Sequence, residues 1–470
     1  MRQDLPMQNR PNILLITTDQ QRYDCVGANG NPMIKTPALD QLAAEGASLE
    51  YFFANNPVCM PSRACFFTGR YCQNHGVRTN GIPLPETELT LAQVLREAGY
   101  RTGILGKLHF LPHSGRDHTK EHPSYGFHTV LVSDEPGCYP DPYIRWVREV
   151  APEMEQAVRV PVPGVEPRGW ARRWVFGAPE ELSHTAWVAE RTMEFIRENR
   201  DRPFFAVAGF YLPHSPWNPP QRWLELYPPK NMPLPKRCAG ELDDKPDLFH
   251  ALARPWREVS DDEWREMKAY YYACCSFVDH HVGRILDCLR ELALLDRTLV
   301  VFVSDHGDLL GDHGLVAKNQ TNYEEVVRVP CIFRLPEYIP AGRRVSDLVE
   351  GVDLMPTILD AVGVPVPDGV KGESQWAAIC GTGPGTKEAV LIEHRVPHGR
   401  SVKTLRTKRW KYWRYSTGEE ILVDLEADPS EFTNLAVDGD YEGKLCEMRE
   451  LLLDVLLRVD DDLPPRIAPY

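Results

Sequence analysis

Two kinds of apolar pattern alternate along this chain. Short continuous runs rich in β-branched residues occur at Asn12–Thr18, Tyr100–Leu105, Pro203–Phe210, Thr298–Val303 and Cys331–Arg334. Runs of this kind, apolar on both faces, suit strands buried in a parallel sheet. Between them lie segments that are apolar at every third or fourth position, as amphipathic helices require. These are Pro37–Leu49, Leu89–Ala98 closed by Gly99, Thr185–Asn199, Glu263–Ala293 and a helical region over Val349–Leu359. A shorter apolar helix is predicted from Pro61 to Gly69, with proline at a first helical position and glycine as its cap. Strands alternating with helices predict an α/β fold, a mostly parallel central sheet sandwiched by helices.

The pattern breaks down in two long stretches, 110–180 and 216–259, which read as loop excursions over the sheet. Their polar residues, including His113, Arg116, His118 and Lys120, fit solvated loops. A Gly- and Pro-rich exit spans Gly363–Gly385. Beyond it, Ala389–Glu393, Arg409–Tyr415 and Ile421–Leu425 alternate as strands, and Tyr441–Val459 is a final amphipathic helix. The expected organisation is therefore a large domain over 10–380 and a small C-terminal sheet with a packed helix over 386–470.

Polar residues gather where the buried strands end. Asp19-Gln20 follows the first strand, Lys107 and His109 the second, His214 the third, and Asp305-His306 the fourth, with Lys318 close behind. Open α/β sheets place ligands at such strand ends. Cys59 would sit just outside a helix N-terminus, where anions are favoured, with Arg63 one turn further on. Each residue alone has a plain structural explanation: a solvated aspartate, a lone buried cysteine, a loop lysine. Together they combine oxygen and nitrogen donors for a divalent cation with cations and proton donors that suit an oxyanion.

Composition narrows the partners. Of 470 residues, 43% are hydrophobic, enough for one large core, and the net charge of −14 excludes a nucleic-acid binder that relies on a basic surface. Twelve cysteines without paired Cys-x-x-Cys spacing describe neither a disulfide scaffold nor structural zinc. Cys274 and Cys275 are read as core residues, and the nearby His280-His281 pair needs no metal. No apolar run is long enough to span a bilayer, and no apolar leader precedes Pro11, so a soluble cytoplasmic enzyme is expected.

Cys59-Met60-Pro61-Ser62-Arg63, followed by an apolar run and Thr68-Gly69-Arg70, resembles the signature of the type I, formylglycine-dependent sulfatases. Asp19, Gly106-Lys107-Leu108-His109, His214, Asp305-His306-Gly307, Lys318 and Trp410-Lys411-Tyr412 continue the resemblance over nearly the whole chain. The resemblance implies the alkaline-phosphatase-like fold with a four-stranded C-terminal sheet, and hydrolysis of small-molecule or saccharide sulfate esters. It implies that a formylglycine-generating enzyme converts Cys59 to formylglycine, whose hydrate attacks sulfur. Asp19, Gln20, Asp305, His306 and an oxygen of modified Cys59 would hold one divalent metal, calcium first and manganese as the alternative. Arg63, Lys107 and Lys318 would hold sulfate oxygens, His214 with Lys318 would protonate the leaving alcohol, and His109 would deprotonate the second hydroxyl. Many members carry Asp-Asp and Asp-Asn where this chain has Asp19-Gln20 and Asp305-His306. The Gln and His pairing resembles the phosphonate monoester hydrolases, which makes phosphonate monoester or phosphodiester hydrolysis the alternative reaction. The sequence leaves room for a homo-oligomer.

Overall fold

The run Asn12–Thr18 is strand β1, buried along its whole length. In the computed structural model, which describes residues 10–118, 120–136, 139–159, 169–318, 321–395 and 400–460, it lies inside an eight-stranded sheet. The remaining strands are β2 (Ala47–Phe53), β3 (Arg101–Gly106), β4 (Thr129–Val132), β5 (Phe204–Gly209), β6 (Thr298–Ser304), β7 (Cys331–Arg334) and β8 (Arg343–Glu350). Their order is β4-β3-β5-β1-β6-β7-β2-β8. All neighbours run parallel except β7, which is antiparallel to both β6 and β2.

Side chains along a strand alternate between faces, so each continuous apolar run feeds two cores. Leu14, Ile16, Ala206, Ala208, Val300 and Phe302 face helices Pro37–Glu45, His184–Glu198 and Asp261–Glu291. Ile13, Leu15, Phe205, Val207, Leu299 and Val301 face helices Cys59–Thr68, Leu91–Glu97 and Leu354–Ala361. Cys274 and Cys275 are buried in the first of these cores. The longest helix is fixed at its start by a capping box: Glu263 N–H donates to Ser260 Oγ (3.3 Å), and Ser260 N–H donates to the Glu263 carboxylate (3.0 Å).

Strands β9 (Val390–Arg395), β10 (Ser401–Arg406), β11 (Trp410–Tyr415) and β12 (Glu420–Asp424) form a separate antiparallel sheet. Val390, Ile392, Val402 and Trp413 pack against Tyr323, Val326 and Leu348 of the main body. Leu391, Leu405, Tyr412 and Leu422 pack against Leu445, Met448, Leu452 and Val455 of helix Glu442–Arg458. Both predicted sheets and the final helix are thus present.

Three local expectations change. The helix predicted over Pro37–Leu49 ends at Glu45, and the chain turns at Gly46 into β2. A Cβ at Gly46 would lie 2.1 Å from the Phe333 carbonyl oxygen, so only glycine lets β7 approach there. The helical region expected from Val349 begins at Leu354, because Val349 and Glu350 close β8. The stretches read as loops hold β4 and helix Pro142–Val150 in the first, and Gln221–Leu224 and Asp247–Ala253 in the second. Among the described residues, no helix is long and apolar enough to cross a membrane.

Candidate active site

Strands β1, β3, β5 and β6 end side by side, and the residues that follow them meet at one buried point. Asp19, Lys107 and Asp305 are fully buried, and Cys59, His214, His306 and Lys318 are each at most 9% exposed. The backbone bends sharply to deliver some of them: Gln20 (φ 69°), His109 (φ 59°) and Ala317 (φ 61°) adopt left-handed conformations. Such conformations persist only where the surroundings enforce them, and they concentrate at functional sites. Two cis prolyl bonds, Leu212–Pro213 and Ser215–Pro216, bracket His214. Gly106 and Gly209 let β3 and β5 close up at their ends: Lys107 N–H donates to Gly209 O at 2.7 Å, and a Cβ on Gly209 would lie 2.2 Å from Lys107 O.

Asp19, Cys59, Asp305 and His306 each offer one ligand atom, and these four atoms lie within 4.8 Å of one another. His306 Nε2 is 3.5 Å from Asp19 Oδ1 and 3.8 Å from Asp305 Oδ1. A hydrogen bond at Nδ1 to the Gly307 carbonyl (2.9 Å) places the ring proton there and turns the Nε2 lone pair into the site. Gln20 is oriented in the same way. Its Nε2 donates to Asp308 Oδ2 (2.5 Å), which leaves Oε1 facing Lys318 Nζ at 3.4 Å. Asp308 is itself fixed by the Leu310 and Ala317 N–H groups at 2.7 and 3.0 Å. Neither oxygen of Asp19 is aligned with a hydrogen-bond donor, although Lys107 Nζ lies 2.7 Å from Oδ2. A buried carboxylate with idle lone pairs among imidazole and amide acceptors is the donor set a divalent cation takes.

Lys318 Nζ occupies the middle of these acceptors, 3.5 Å from Cys59 Sγ, 3.4 Å from His214 Nε2 and 3.3 Å from His306 Nε2. Burial and the Asp19 carboxylate push the Cys59 thiol up, but the Lys318 ammonium foremost, with Lys107, outweighs them and holds the thiol well below its usual range. Asp19 follows the same logic: burial raises it, while the fixed charges of Lys107 foremost and Arg63 hold it well below the ordinary carboxylate value. Burial lowers His214 to about 3, so its ring is neutral at working pH. Its Nδ1 donates to Ser215 O at 2.6 Å, which leaves Nε2 as an acceptor toward Lys318.

Arg63 has a different environment from the one expected of a sulfate ligand. Its Nε donates to Asp305 Oδ2 (2.7 Å), Nη1 to Lys107 O (3.2 Å) and Thr17 Oγ1 (3.4 Å), and Nη2 to Thr18 O (3.4 Å). Nη2 also lies 3.6 Å from Asp19 Oδ2. With its fork engaged, Arg63 sets the position of the two carboxylates. His109 stands beside this centre. Its backbone N–H and that of Leu108 donate to Asp134 Oδ1 (2.7 and 2.9 Å), its ring faces His113 at 4.4 Å, and its Nδ1 is buried without a hydrogen bond. Burial, Lys107 and His113 hold its pKa well below the usual imidazole value.

Asp308, Asp134 and Asn80 are the residues that pattern reading missed. Asn80 Oδ1 accepts the Met60 N–H (3.1 Å), and its Nδ2 lies 3.5 Å from Cys59 Sγ. Asp308 stood in the turn Asp305–Gly314 beside other acidic residues, which was the one available signal; Asp134 and Asn80 carried none. A second cluster, Cys65, Cys72 and His75, lies on helix Cys59–Thr68 and the short helix Cys72–His75. Val77 N–H donates to His75 Nδ1 (3.1 Å), and burial lowers this imidazole to about 3, so the ring proton sits on Nε2 and faces Cys65 Sγ at 3.4 Å. That ring has no free lone pair to give a metal there.

The sulfatase family model matches residues 11–364, three quarters of the chain, and the model of the N-sulphoglucosamine sulphohydrolase C-terminal region matches residues 311–457. The chain belongs to the sulfatase family. An arylsulfatase of Clostridium perfringens is 32% identical over 95% of this chain and 94% of its own length. An N-acetylglucosamine-6-O-sulfatase of Bacteroides thetaiotaomicron is 26% identical over 97% of this chain and 88% of its own. Among solved structures, the phosphonate monoester hydrolase of Agrobacterium radiobacter superposes with a TM-score of 0.84 at 28% identity, covering 96% of each chain. Family membership makes this sulfatase a sulfuric ester hydrolase on the alkaline-phosphatase-like scaffold.

Proposed function

We propose that this sulfatase hydrolyses the sulfate ester of a small molecule or saccharide with a nucleophile made from Cys59, which a formylglycine-generating enzyme converts to formylglycine. The observation that carries the proposal is the position of Cys59 Sγ. It lies at the start of helix Cys59–Thr68, inside the donor set of Asp19, Asp305 and His306, and 3.5 Å from Lys318 Nζ. A hydroxyl on that carbon would face the same groups, and the helix N-terminus favours the negative charge that develops there.

The residues of the chain divide the work. Lys318 and Lys107 supply positive charge for sulfate oxygens, while Arg63 holds Asp19 and Asp305 in place. His214 and Lys318, 3.4 Å apart, form a pair through which a proton can reach the departing oxygen. His109 Nδ1, without a hydrogen bond among the described residues, is available to take the proton of the second hydroxyl, which lets the aldehyde re-form and sulfate leave. Asp19, Gln20, Asp305 and His306 would hold one divalent cation, calcium first and manganese second because of the imidazole ligand. Such a cation would supply Lewis-acid polarisation and a lowered pKa for the attacking hydroxyl. The glucosamine sulfatase among the relatives supports a saccharide ester as a substrate class.

The replacement of a carboxylate by Gln20, together with the likeness to phosphonate monoester hydrolases, favours phosphorus ester hydrolysis as the second reading. One measurement tests the nucleophile and a second decides between the readings. Protein from the native host should give a Cys59 peptide that has lost the thiol sulfur and gained an aldehyde oxygen; an intact thiol there would remove the mechanism. Rates on an aryl sulfate, an aryl phosphodiester and a phenylphosphonate ester should favour sulfur, and a clear preference for phosphorus would replace the first reading with the second.

A further inference from the structure

One large apolar side chain near the reacting groups remains open. Trp170, in the short turn Gly169–Ala171, is 40% exposed. The Lys318 ammonium lies 5.8 Å from its ring, and the His214 ring lies edge-on to it with centroids 5.9 Å apart. The indole therefore borders the two groups assigned to the departing oxygen.

Its support is rigid. The segment after Trp170 is zipped in parallel to the segment after His214: Trp217 N–H donates to Arg172 O (2.9 Å), Trp174 N–H to Trp217 O (3.0 Å) and Phe176 N–H to Pro219 O (3.0 Å). Trp217 is fully buried, and its indole N–H donates to Pro213 O at 3.0 Å, next to His214. Arg173 is paired with Glu266 of the long helix. These hydrogen bonds therefore tie the segment that follows Trp170 to the segment that follows His214. An aromatic face kept partly in water on so firm a frame is a surface built to meet another flat group.

We propose that Trp170 is the platform on which the leaving group lies, so that the preferred substrates are esters whose alcohol carries a ring with a flat apolar face close to the ester oxygen. This inference rests on the assignment of Lys318 and His214 to the leaving side. An arene and a pyranose share the chemistry, the first through its π-face and the second through its axial C–H face. A short linear alkyl ester has neither.

The test compares 4-nitrophenyl sulfate, a hexosamine 6-sulfate and hexyl sulfate on the wild-type enzyme, Trp170→Ala and Trp170→Phe. Trp170→Ala should lower kcat/KM for a ring-bearing ester by about ten- to a hundredfold, mainly through KM, and change hexyl sulfate by less than about threefold. Trp170→Phe should restore most of the loss. Whichever ring ester loses more identifies the source, arene or sugar. An equal fall of kcat on all three esters would mean that Trp170 acts only through Lys318, and would overturn the platform; so would no change on any. If the wild type cleaves no sulfate ester, the sulfatase reading fails by itself. The platform is then judged by the same ratio on an aryl against an alkyl phosphonate ester.

Discussion

Two buried clusters of charge in this molecule are built to opposite ends. Around Glu350, at the end of β8, every group has a partner. Glu350 Oε1 accepts from Tyr71 and Lys387 (2.5 Å each), and Oε2 accepts from Asn55 Nδ2 and the Leu391 N–H (2.8 and 2.9 Å). Asp353 accepts the Glu373 and Glu350 N–H groups and pairs with Lys387 at 3.0 Å. Asn55 also bonds the backbone of β9 on both sides, so this cluster fastens the C-terminal sheet to the main one. At the ends of β1, β3 and β6, by contrast, Asp19 and Lys107 face each other as an ion pair at 2.7 Å, and polar atoms of Asp19, Lys107 and His109 have no aligned hydrogen bond among the described residues. Burial is equally complete in both places. What separates structural charge from functional charge is whether the fold itself answers each donor and acceptor.

That contrast can be broken most strongly at Cys59. Cys59→Ala should reduce turnover of an aryl sulfate by about a thousandfold or more, with the thermal midpoint little changed, because the contacts of the sulfur are the long ones from Lys318 and Asn80, at 3.5 Å each. Chelation of divalent ions should produce a comparable loss, restored by calcium or manganese, and activity that survives exhaustive chelation would count against the metal assignment. At the other cluster the effects should reverse. Glu350→Ala leaves Lys387 with Asp353 alone and strips the buried Tyr71 hydroxyl, Asn55 amide and Leu391 N–H of their acceptor, and should cost about 3–5 kcal/mol in urea unfolding, while kcat of the folded fraction stays near wild type. A large fall in kcat with unchanged stability would erase the distinction drawn between the two clusters.

A third buried group gives a pH-dependent version of the comparison. His313 is stacked on Tyr323 (3.7 Å between ring centroids) and faces Glu241 and Glu325, each 3.6 Å away. Burial would lower its pKa, but the two carboxylates outweigh burial and raise it to about 9. Because the folded value exceeds the unfolded one, the charged ring stabilises the protein fully below about pH 6.5 and progressively less as pH rises toward 9. The total is on the order of 3 kcal/mol. His313→Gln should remove that slope from the stability–pH curve; a slope that persists would point to another group. The smallest expected effect is at Asn80, whose side-chain hydrogen bonds among the described residues go to Cys59 and Met60. Asn80→Ala should slow turnover by about three- to tenfold and, through the lost Met60 N–H bond, lower stability by no more than about 1 kcal/mol.

The central strands were legible because a buried parallel strand must be apolar on both faces, and Asn12–Thr18, Phe204–Gly209 and Thr298–Ser304 are. Strand β8 was hidden because it lies at the sheet edge, where Arg343, Arg344, Ser346 and Asp347 replace the apolar alternation. Strand β2 was hidden because Leu39, Leu42, Ala43 and Leu49 continue a helical period across Gly46, and only the close approach of Phe333 shows why the helix must stop there. In the site, Asp19, Gln20, Lys107, His214, Asp305 and His306 could be named because each ends a recognisable strand, and Cys59 because its pentapeptide is distinctive. Asp134 and Asn80 lie in loops whose sequence carries no period.

The sequence by itself determined which residues can do chemistry and which strand each one follows, since strand burial and side-chain type are local properties. It also marked Cys59-Met60-Pro61-Ser62-Arg63 as the stretch that carries the proposed nucleophile. Only the tertiary structure decided what each charge does. Arg63 faces Asp305, Asp19 and three groups of the β1 and β3 ends, so it orders carboxylates instead of waiting for an anion. Gln20 presents oxygen to the site because Asp308, 288 residues away in the chain, holds its nitrogen. Hydrogen-bond partners across such separations are fixed by how strands stack side by side, and no local pattern encodes that.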